Sequence, residues 1–128
     1  MRYSEVISEF LNLIREVQQE YNIAIAEEQD ANNATQDILH NIELCENKYH
    51  DYARLSIALR EVRQQRRRAK DKEQELQPIV DFLSNNMKVI KALERLLGDV
   101  RKAEKSTEGR SYTPRTDIVE RTLGGGQK

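Results

Sequence analysis

The sequence predicts an all-α protein: a long antiparallel helical hairpin or coiled-coil-like bundle of about three helices, with a disordered C-terminal tail. Two observations support this fold class. Charged residues make up 34% of the 128-residue chain, which has no Trp, two Pro and five Gly; β-sheets need more turn residues and β-branched runs. Apolar residues also recur at alternating three- and four-residue spacings, as they do along one face of a helix. The length suits a single domain.

The first helix is predicted over residues 4–29, because a continuous apolar stripe runs through this segment. The stripe consists of Val6, Ile7, Phe10, Leu13, Ile14, Val17, Tyr21, Ala24 and Ile25. The segment Glu27 to Gln36 that follows is polar and contains Asp30, Asn32 and Asn33, which favour turns and helix caps. We therefore predict a break between the first and second helices here.

The second helix is predicted over residues 34–76, where the stripe continues without Gly or Pro. Such a helix would be roughly 60 Å long and needs a packing partner along its length. The seven-residue positions 10, 17, 24, 31, 38, 45, 52 and 59 are Phe, Val, Ala, Ala, Ile, Cys, Tyr and Leu, so the register survives the polar segment. One continuous helix over residues 4–76, paired between subunits, therefore remains an alternative to the hairpin, which we prefer.

A third helix is predicted over residues 79–105. Pro78 ends or kinks the preceding helix and suits the first turn of a new one. The stripe of the third helix is Val80, Leu83, Met87, Ile90, Leu93, Leu97 and Val100. Residues 106–128 hold four of the five glycines and are interpreted as a flexible tail, although Ile118, Val119 and Leu123 could form a short docking segment. The domain organisation is thus a helical domain, 1–105, and a tail, 106–128.

The charge distribution is asymmetric although the formal net charge is −1. Residues 1–51 carry three basic and eleven acidic side chains, and residues 52–128 carry eighteen basic and eleven acidic ones. Such halves attract each other within one chain or between two copies, and together with the long helix they predict a homo-oligomer, a dimer or larger. No apolar stretch is long enough to span a membrane, no signal region is visible, and Cys45 has no second cysteine, so we expect a cytoplasmic protein with Cys45 in its core.

The segment REVRQQRRRAKDK, Arg60 to Lys72, concentrates five arginines and two lysines. Arg60, Arg63, Arg67 and Lys70 follow one another at three- and four-residue steps and would form a cationic stripe along one helix, while Arg66 and Arg63 occupy positions where the heptad expects apolar residues. Guanidinium groups bind carboxylates and phosphates through paired hydrogen bonds. The stripe therefore indicates either a binding site or a face paired with the protein's own acidic half.

A second constellation lies in DILHNIEL, Asp37 to Leu44. Asp37, His40 and Glu43 are three residues apart and fall on one helical face. We expect His40 to be fixed by the neighbouring carboxylates and to face the cationic stripe rather than to bind a metal. The sequence has no glycine-rich phosphate loop, nucleophile elbow, HExxH or paired-cysteine motif, so it predicts neither an enzyme nor a cofactor.

The segments DILHNIEL and LREVRQQRRRAKDKEQELQPIVDFL, Leu59 to Leu83, resemble a group of small helical proteins encoded by phages and prophages of Gram-positive bacteria. The resemblance rests on an LHxxEL segment followed by RxxRRxxKD, and it covers residues 36–83. It implies that the shared polar positions are His40, Glu43, Arg63, Arg66, Arg67, Lys70 and Asp71. It implies no activity, but it places the protein in the cytoplasm of a host cell.

These observations predict a small phage-type, oligomeric, helical binding protein that inhibits a host or anti-phage defence factor by occupying it. The expected contact residues are Arg60, Arg63, Arg66, Arg67, Lys70, His40 and Glu43. A structural or assembly coiled coil is an alternative, as is sequestration of a nucleotide or other phosphate-bearing ligand. Binding to nucleic acid is a minor alternative, because the sequence pI is about 6.2 and the five tyrosines lie outside the basic segment.

Overall fold

The computed structural model describes residues 2–112 and 114–124, which contain helices and no strand. Helix α1 spans Tyr3–Leu44, α2 spans Tyr49–Asn85, α3 spans Met87–Thr107 and α4 spans Asp117–Gly124. The predicted all-α class is confirmed. None of the described helices is both long and apolar enough to cross a lipid bilayer.

Helices α1 and α2 form an antiparallel hairpin. Tyr21 donates a hydrogen bond to Gln77 at 2.6 Å, and Arg66 Nε donates one to Asn32 Oδ1 at 2.8 Å. Between these two pairs α1 advances by 11 residues (32 − 21) while α2 retreats by 11 (77 − 66), so the helices run side by side in opposite directions. The predicted hairpin is confirmed, and the alternative of one continuous helix over residues 4–76 is wrong because α1 ends at Leu44.

The core is a seam between the helices that widens where α3 joins it. Its buried apolar residues are Leu11, Val17, Ala24, Ala31, Ala69, Leu76, Leu83 and Ile90. The last four are spaced by seven residues, which is the spacing that keeps one side of a helix against a coiled-coil partner. Ala24, Ala31 and Ala69 bring the two backbones close in the middle of the hairpin. At the α3 end, Leu11, Leu83 and Ile90 form a buried cluster, with Ile7, Ile14, Leu93 and Leu97 packed around it.

The predicted break between residues 29 and 34 is wrong, because α1 continues through it without interruption. Ala31 and Thr35 are buried against α2, so packing holds this part of the helix. The Thr35 hydroxyl donates to the Ala31 carbonyl at 2.8 Å, and Asn32 accepts a hydrogen bond from Arg66. Side chains that could end a helix therefore bond within it or across the seam instead.

The turn of the hairpin lies at residues 45–48. The Cys45 N–H donates to the Asn41 carbonyl at 3.0 Å and closes α1. Asn47 Nδ2 donates to Asn41 Oδ1 at 3.1 Å and to the Cys45 carbonyl at 3.3 Å. The Asp51 carboxylate accepts from the Lys48 N–H at 3.4 Å and caps the start of α2. Cys45 is exposed in this turn, so its predicted place in the core is wrong.

The predicted helix boundary at Pro78 is also wrong, because Pro78 lies inside α2, which continues to Asn85. A proline removes the N–H that would bond to the carbonyl four residues earlier, here that of Gln74. Both Pro78 and Gln74 are exposed, so the freed carbonyl lies at the solvent side of the helix. Leu76 and Leu83 are buried on either side of Pro78, and their packing keeps the helix in place.

Asn86 forms the bend between α2 and α3. Its N–H donates to the Leu83 carbonyl at 3.3 Å and its side-chain amide to the Phe82 carbonyl at 2.8 Å, which ends α2. Its own carbonyl accepts from the Val89 and Ile90 N–H groups, which starts α3. Helix α3 then returns to the start of α1 and runs to Thr107, two residues beyond the predicted end at 105.

Hydrogen bonds tie the end of α3 to the start of α1. The Ser4 hydroxyl donates to Glu104 Oε2 at 2.7 Å, and the Ser4 N–H donates to Glu104 Oε1 at 3.2 Å. The hydrogen bonds from Ser4 lower the pKa of Glu104 below its ordinary value. The Glu104 carboxylate thus caps the first turn of α1, although it is one hundred positions from Ser4 in the chain.

Helix α4 lies within the segment predicted to be a disordered tail. Its apolar residues, Ile118, Val119 and Leu123, are exposed, and α4 makes no contact with α1, α2 or α3. Within the described residues α4 therefore does not pack on the other three helices. Residues 113 and 125–128 of the tail lie outside the described residues.

Candidate binding surface

Five arginines of α2 gather on one surface, the arginine surface, defined here by Arg60, Arg63, Arg66, Arg67 and Arg68. Together with Gln64 and Asp71 they line an open cleft of about 510 Å³. All the lining residues belong to α2, so the cleft lies between side chains of one helix and has no wall from another. The sequence predicted four of these arginines as contact residues and missed Arg68 and Gln64.

The charge of the arginine surface is not neutralised by the protein's own carboxylates. Among the described residues two ion pairs are present, Arg2 with Glu108 at 3.6 Å and Lys72 with Glu20 at 3.3 Å. Neither involves an arginine of the surface, although Asp71 lines the same cleft. In the described residues these arginines therefore do not pair with the protein's acidic half, which was one of the two interpretations of this segment.

Arg66 differs from the other four arginines because it lies at the seam. It is half-buried between the seam positions Val62 and Ala69, and its Nε donates to Asn32 of α1. This hydrogen bond to a neutral amide leaves the positive charge uncompensated and holds the stem of the side chain in place. Arg60, Arg63, Arg67 and Arg68 are exposed, so the prediction that Arg63 also occupies a seam position is wrong.

Lys70 lies beside the arginine surface but outside its cleft. Together with Tyr21, Glu73, Gln74 and Gln77 it lines a second, smaller depression along the hairpin. Lys70 therefore extends the positive charge along α2 toward the hydrogen bond between Tyr21 and Gln77.

Glu28 of α1 and Glu73 of α2 face each other across the seam next to Lys70. The hydrogen bond with Glu28 raises the pKa of Glu73 above its ordinary value, and desolvation and the Glu28 charge act in the same direction, while Lys70 lowers it. A hydrogen bond between two carboxyl groups needs one proton, so the contact between Glu28 and Glu73 is more favourable when one of the two carries that proton. The sequence does not predict this pair, because the contact depends on the register of the two helices.

His40 and Glu43 are not brought to the arginine surface. Both are exposed, and His40 follows the seam residue Ile38 by two positions, about 200° around the helix. It therefore projects from the side of α1 remote from α2. Within residues 2–112 and 114–124, His40 forms no hydrogen bond or ion pair with Asp37 or Glu43, so the expectation that carboxylates fix it against the cationic stripe is wrong. The described residues contain no cluster of three or more His, Cys, Asp and Glu side chains that could hold a metal ion.

Comparison of the chain with protein-family models, curated proteins and solved structures gives no match. The arginine surface therefore has to be interpreted from its own geometry and charge.

Proposed function

We propose that the protein is a non-catalytic binding protein whose arginine surface contacts an acidic surface of a partner protein. The observation that carries the proposal is the set of five arginines with no carboxylate in ion-pair distance in the described structure. Like charges held together on one helix are unfavourable for the free protein, and a partner that supplies carboxylates relieves this repulsion. Arginine is also the basic residue best suited to paired hydrogen bonds with carboxylates.

The shape of the surface favours a macromolecule over a small phosphate-bearing ligand. Small ligands are usually enclosed in concave sites that bury most of their surface, whereas this cleft is open and is lined by α2 alone. The segment from Arg60 to Asp71 covers about 16 Å of helix, which matches a patch on a protein better than one phosphate group. A nucleic acid is disfavoured because the chain as a whole carries a net charge of −1.

In the setting implied by the resemblance to phage-encoded proteins, the partner is a host protein or an anti-phage defence factor, and the protein inhibits it by covering its surface. The hairpin suits this role because α2, which carries the arginines, is 37 residues long, or about 56 Å. It presents the arginines on a long helix that is supported along its length by a second one.

The experiment compares three versions of the protein. The first is the parent and the second carries Arg60→Glu, Arg63→Glu and Arg67→Glu. The third is a control with the same charge change on α3, Lys88→Glu, Lys91→Glu and Arg95→Glu. All six positions are exposed, so both variants are expected to keep the helical circular dichroism signal of the parent.

Each version is immobilised and exposed to lysate of a bacterial host, and a captured protein is then purified and titrated. We expect the parent and the α3 control to bind it and the arginine variant to bind at least tenfold more weakly, with affinity falling as salt is raised. Equal binding by the arginine variant contradicts the proposal. Capture of nucleotide or nucleic acid in place of protein would favour the phosphate alternative.

A further inference from the structure

A second surface, on another side of the hairpin, is apolar and has no partner in the described structure. It consists of Phe10 and Leu13 of α1 and Ile79 and Phe82 of α2, called here the apolar face. Their exposed fractions are 47, 53, 43 and 56%. Large apolar side chains are exposed singly on many proteins, whereas these four lie together.

The register of the hairpin places all four on one side. Glu20 and Lys72 are joined across α1 and α2 by an ion pair of 3.3 Å. Leu13 precedes Glu20 by one heptad and Ile79 follows Lys72 by one heptad, so in an antiparallel pair they face each other on the same side. Phe10 precedes Leu13 by three residues and Phe82 follows Ile79 by three, so both continue their rows in the same direction along the hairpin. Val6, also about half exposed, extends the α1 row toward the start of that helix.

The apolar face can supply about half of one side of an interface. With on the order of 200 Å² for each large apolar side chain, half of its four side chains amounts to roughly 400 Å² of apolar surface. Isolated monomers rarely expose more than about 300–600 Å² in one patch, and a stable interface buries about 800 Å² per partner. The charged side chains that border the face can supply the remaining area through their aliphatic stems.

Charge on the same side of the hairpin identifies the partner. Beyond the apolar face the α1 row carries Glu16, Glu20 and Glu27, and the α2 row carries Glu61, Arg68, Lys72 and Glu75. Glu20, Glu27, Arg68 and Lys72 line one shallow depression, and Glu16 lies one turn before Glu20. Within this depression the hairpin is thus acidic along α1 and basic along α2. Glu61 and Glu75 flank the basic pair on α2, and the apolar face lies at one end of the rows.

We propose that the apolar face binds a second copy of this chain. A twofold axis parallel to the helices places α1 of one copy against α2 of the other and keeps both apolar faces at the same level. Glu20 and Glu27 of each copy then lie opposite Lys72 and Arg68 of the other, so the apolar contact and both charged contacts form together. The product is an antiparallel four-helix bundle, one of the common solutions for amphipathic hairpins.

This dimer leaves most of the arginine surface exposed. Arg60, Arg63 and Arg67 continue at three- and four-residue steps into Lys70, on the side of α2 marked by the hydrogen bond between Tyr21 and Gln77. Arg68, in contrast, precedes Lys72 by one turn and belongs to the dimer side. Arg68 is the one residue that the arginine surface and the dimer side share, and the dimer carries two arginine surfaces in one assembly.

Sedimentation of the purified full-length protein at about 50 μM, where an interface of this size is expected to be populated, tests the proposal. Each chain has a mass of 15.0 kDa, so the parent is expected to sediment as twice that mass. Phe82→Glu is expected to sediment as a monomer with an unchanged helical signal. Ile57→Glu is the matched control, since Ile57 is 59% exposed and lies outside the apolar face, and it should remain a dimer. A monomeric parent, an oligomer larger than a dimer, or a dimeric Phe82→Glu variant would overturn the proposal.

A mixing experiment tests the predicted arrangement of charges. One variant carries Glu20→Lys and Glu27→Lys, so all four charged residues of the depression are basic. Another carries Arg68→Glu and Lys72→Glu, so all four are acidic. Each variant alone should dimerise at least tenfold more weakly than the parent, and an equimolar mixture should form the mixed dimer. If the two variants dimerise alone as well as the parent does, or if the mixture stays monomeric, the antiparallel pairing of the rows is refuted.

Discussion

Leu83 lies where α1, α2 and α3 meet, and we expect Leu83→Ala to lower the stability of the whole bundle. The side chain is 6% exposed and packs in one cluster with Leu11 and Ile90. The substitution removes three carbon atoms, worth about 2.4 kcal/mol of transfer free energy. Buried Leu→Ala substitutions cost about 2–5 kcal/mol in total because a cavity remains.

The surroundings of Leu83 place the expected cost in the lower half of that range. Ile7, Ile14, Leu93 and Leu97 around the cluster are only partly buried, so they can shift and fill part of the cavity. We expect a loss of about 3 kcal/mol. For a chain of this size the melting temperature then falls by roughly 10 °C.

Thermal and urea unfolding followed by circular dichroism measure this effect, at one fixed protein concentration because oligomers melt in a concentration-dependent way. Leu44→Ala is the matched control. Leu44 is 76% exposed at the end of α1, and its substitution should change the free energy of unfolding by less than about 0.5 kcal/mol. If Leu83→Ala and Leu44→Ala shift the transition equally, Leu83 is not in the core and the assigned packing of α3 is refuted.

Three further predictions concern pH and the tail. The folded pKa of Glu73 is raised by its hydrogen bond with Glu28, so the stability that this pair contributes is fully present below the unfolded pKa and is lost as pH rises through the folded pKa. Melting curves collected upward from pH 4 should therefore show Glu73→Gln gaining on the parent, and a constant difference would contradict the pairing. The folded pKa of Glu104 is lowered by Ser4, so the stability that this contact contributes is present above the unfolded pKa and is lost as pH falls through the folded pKa. The Ser4→Ala variant should therefore lose less stability than the parent on acidification below about pH 4.5. Equal losses would argue against this cap. Removal of residues 109–128 should leave the melting temperature nearly unchanged, because α4 makes no contact with the other helices, whereas a drop of many degrees would mean that the tail docks.

The periodic spacing of apolar residues predicted much of the fold. Stripes such as Ile7, Ile14 and Tyr21 mark the side of α1 that faces the rest of the molecule, and Leu83, Ile90 and Leu97 do the same for α2 and α3. This information is local, because a helix that buries one side must place apolar residues at the spacing of its turns. The prediction of a break at residues 29–34 is wrong for the same reason, since the turn preference of Asn32 and Asn33 is local and the packing that holds α1 there is not.

The candidate site was predicted in part. The concentration of Arg60, Arg63, Arg66 and Arg67 is visible in the sequence and is kept on one surface because a single helix carries it. The prediction that His40 and Glu43 lie with the arginines is wrong. Residues on two different helices form one site only if both lie on the sides of those helices that face each other. That depends on the orientation of α1 against α2, which the order of residues along either helix does not give.

The sequence by itself determined that the chain forms long helices, which of their sides are apolar and where positive charge is concentrated, because these properties repeat within a few turns. Only the tertiary structure decided that α1 passes through Ala31 and Thr35, that Pro78 stays inside a helix and that Asn86 bends the chain, because each outcome depends on what packs opposite. The same is true of the facing pair Glu28 and Glu73. Their contact exists because an antiparallel seam brings together residues that are 45 positions apart in the chain (73 − 28), and the free energy that selects this register comes from burial along the whole hairpin.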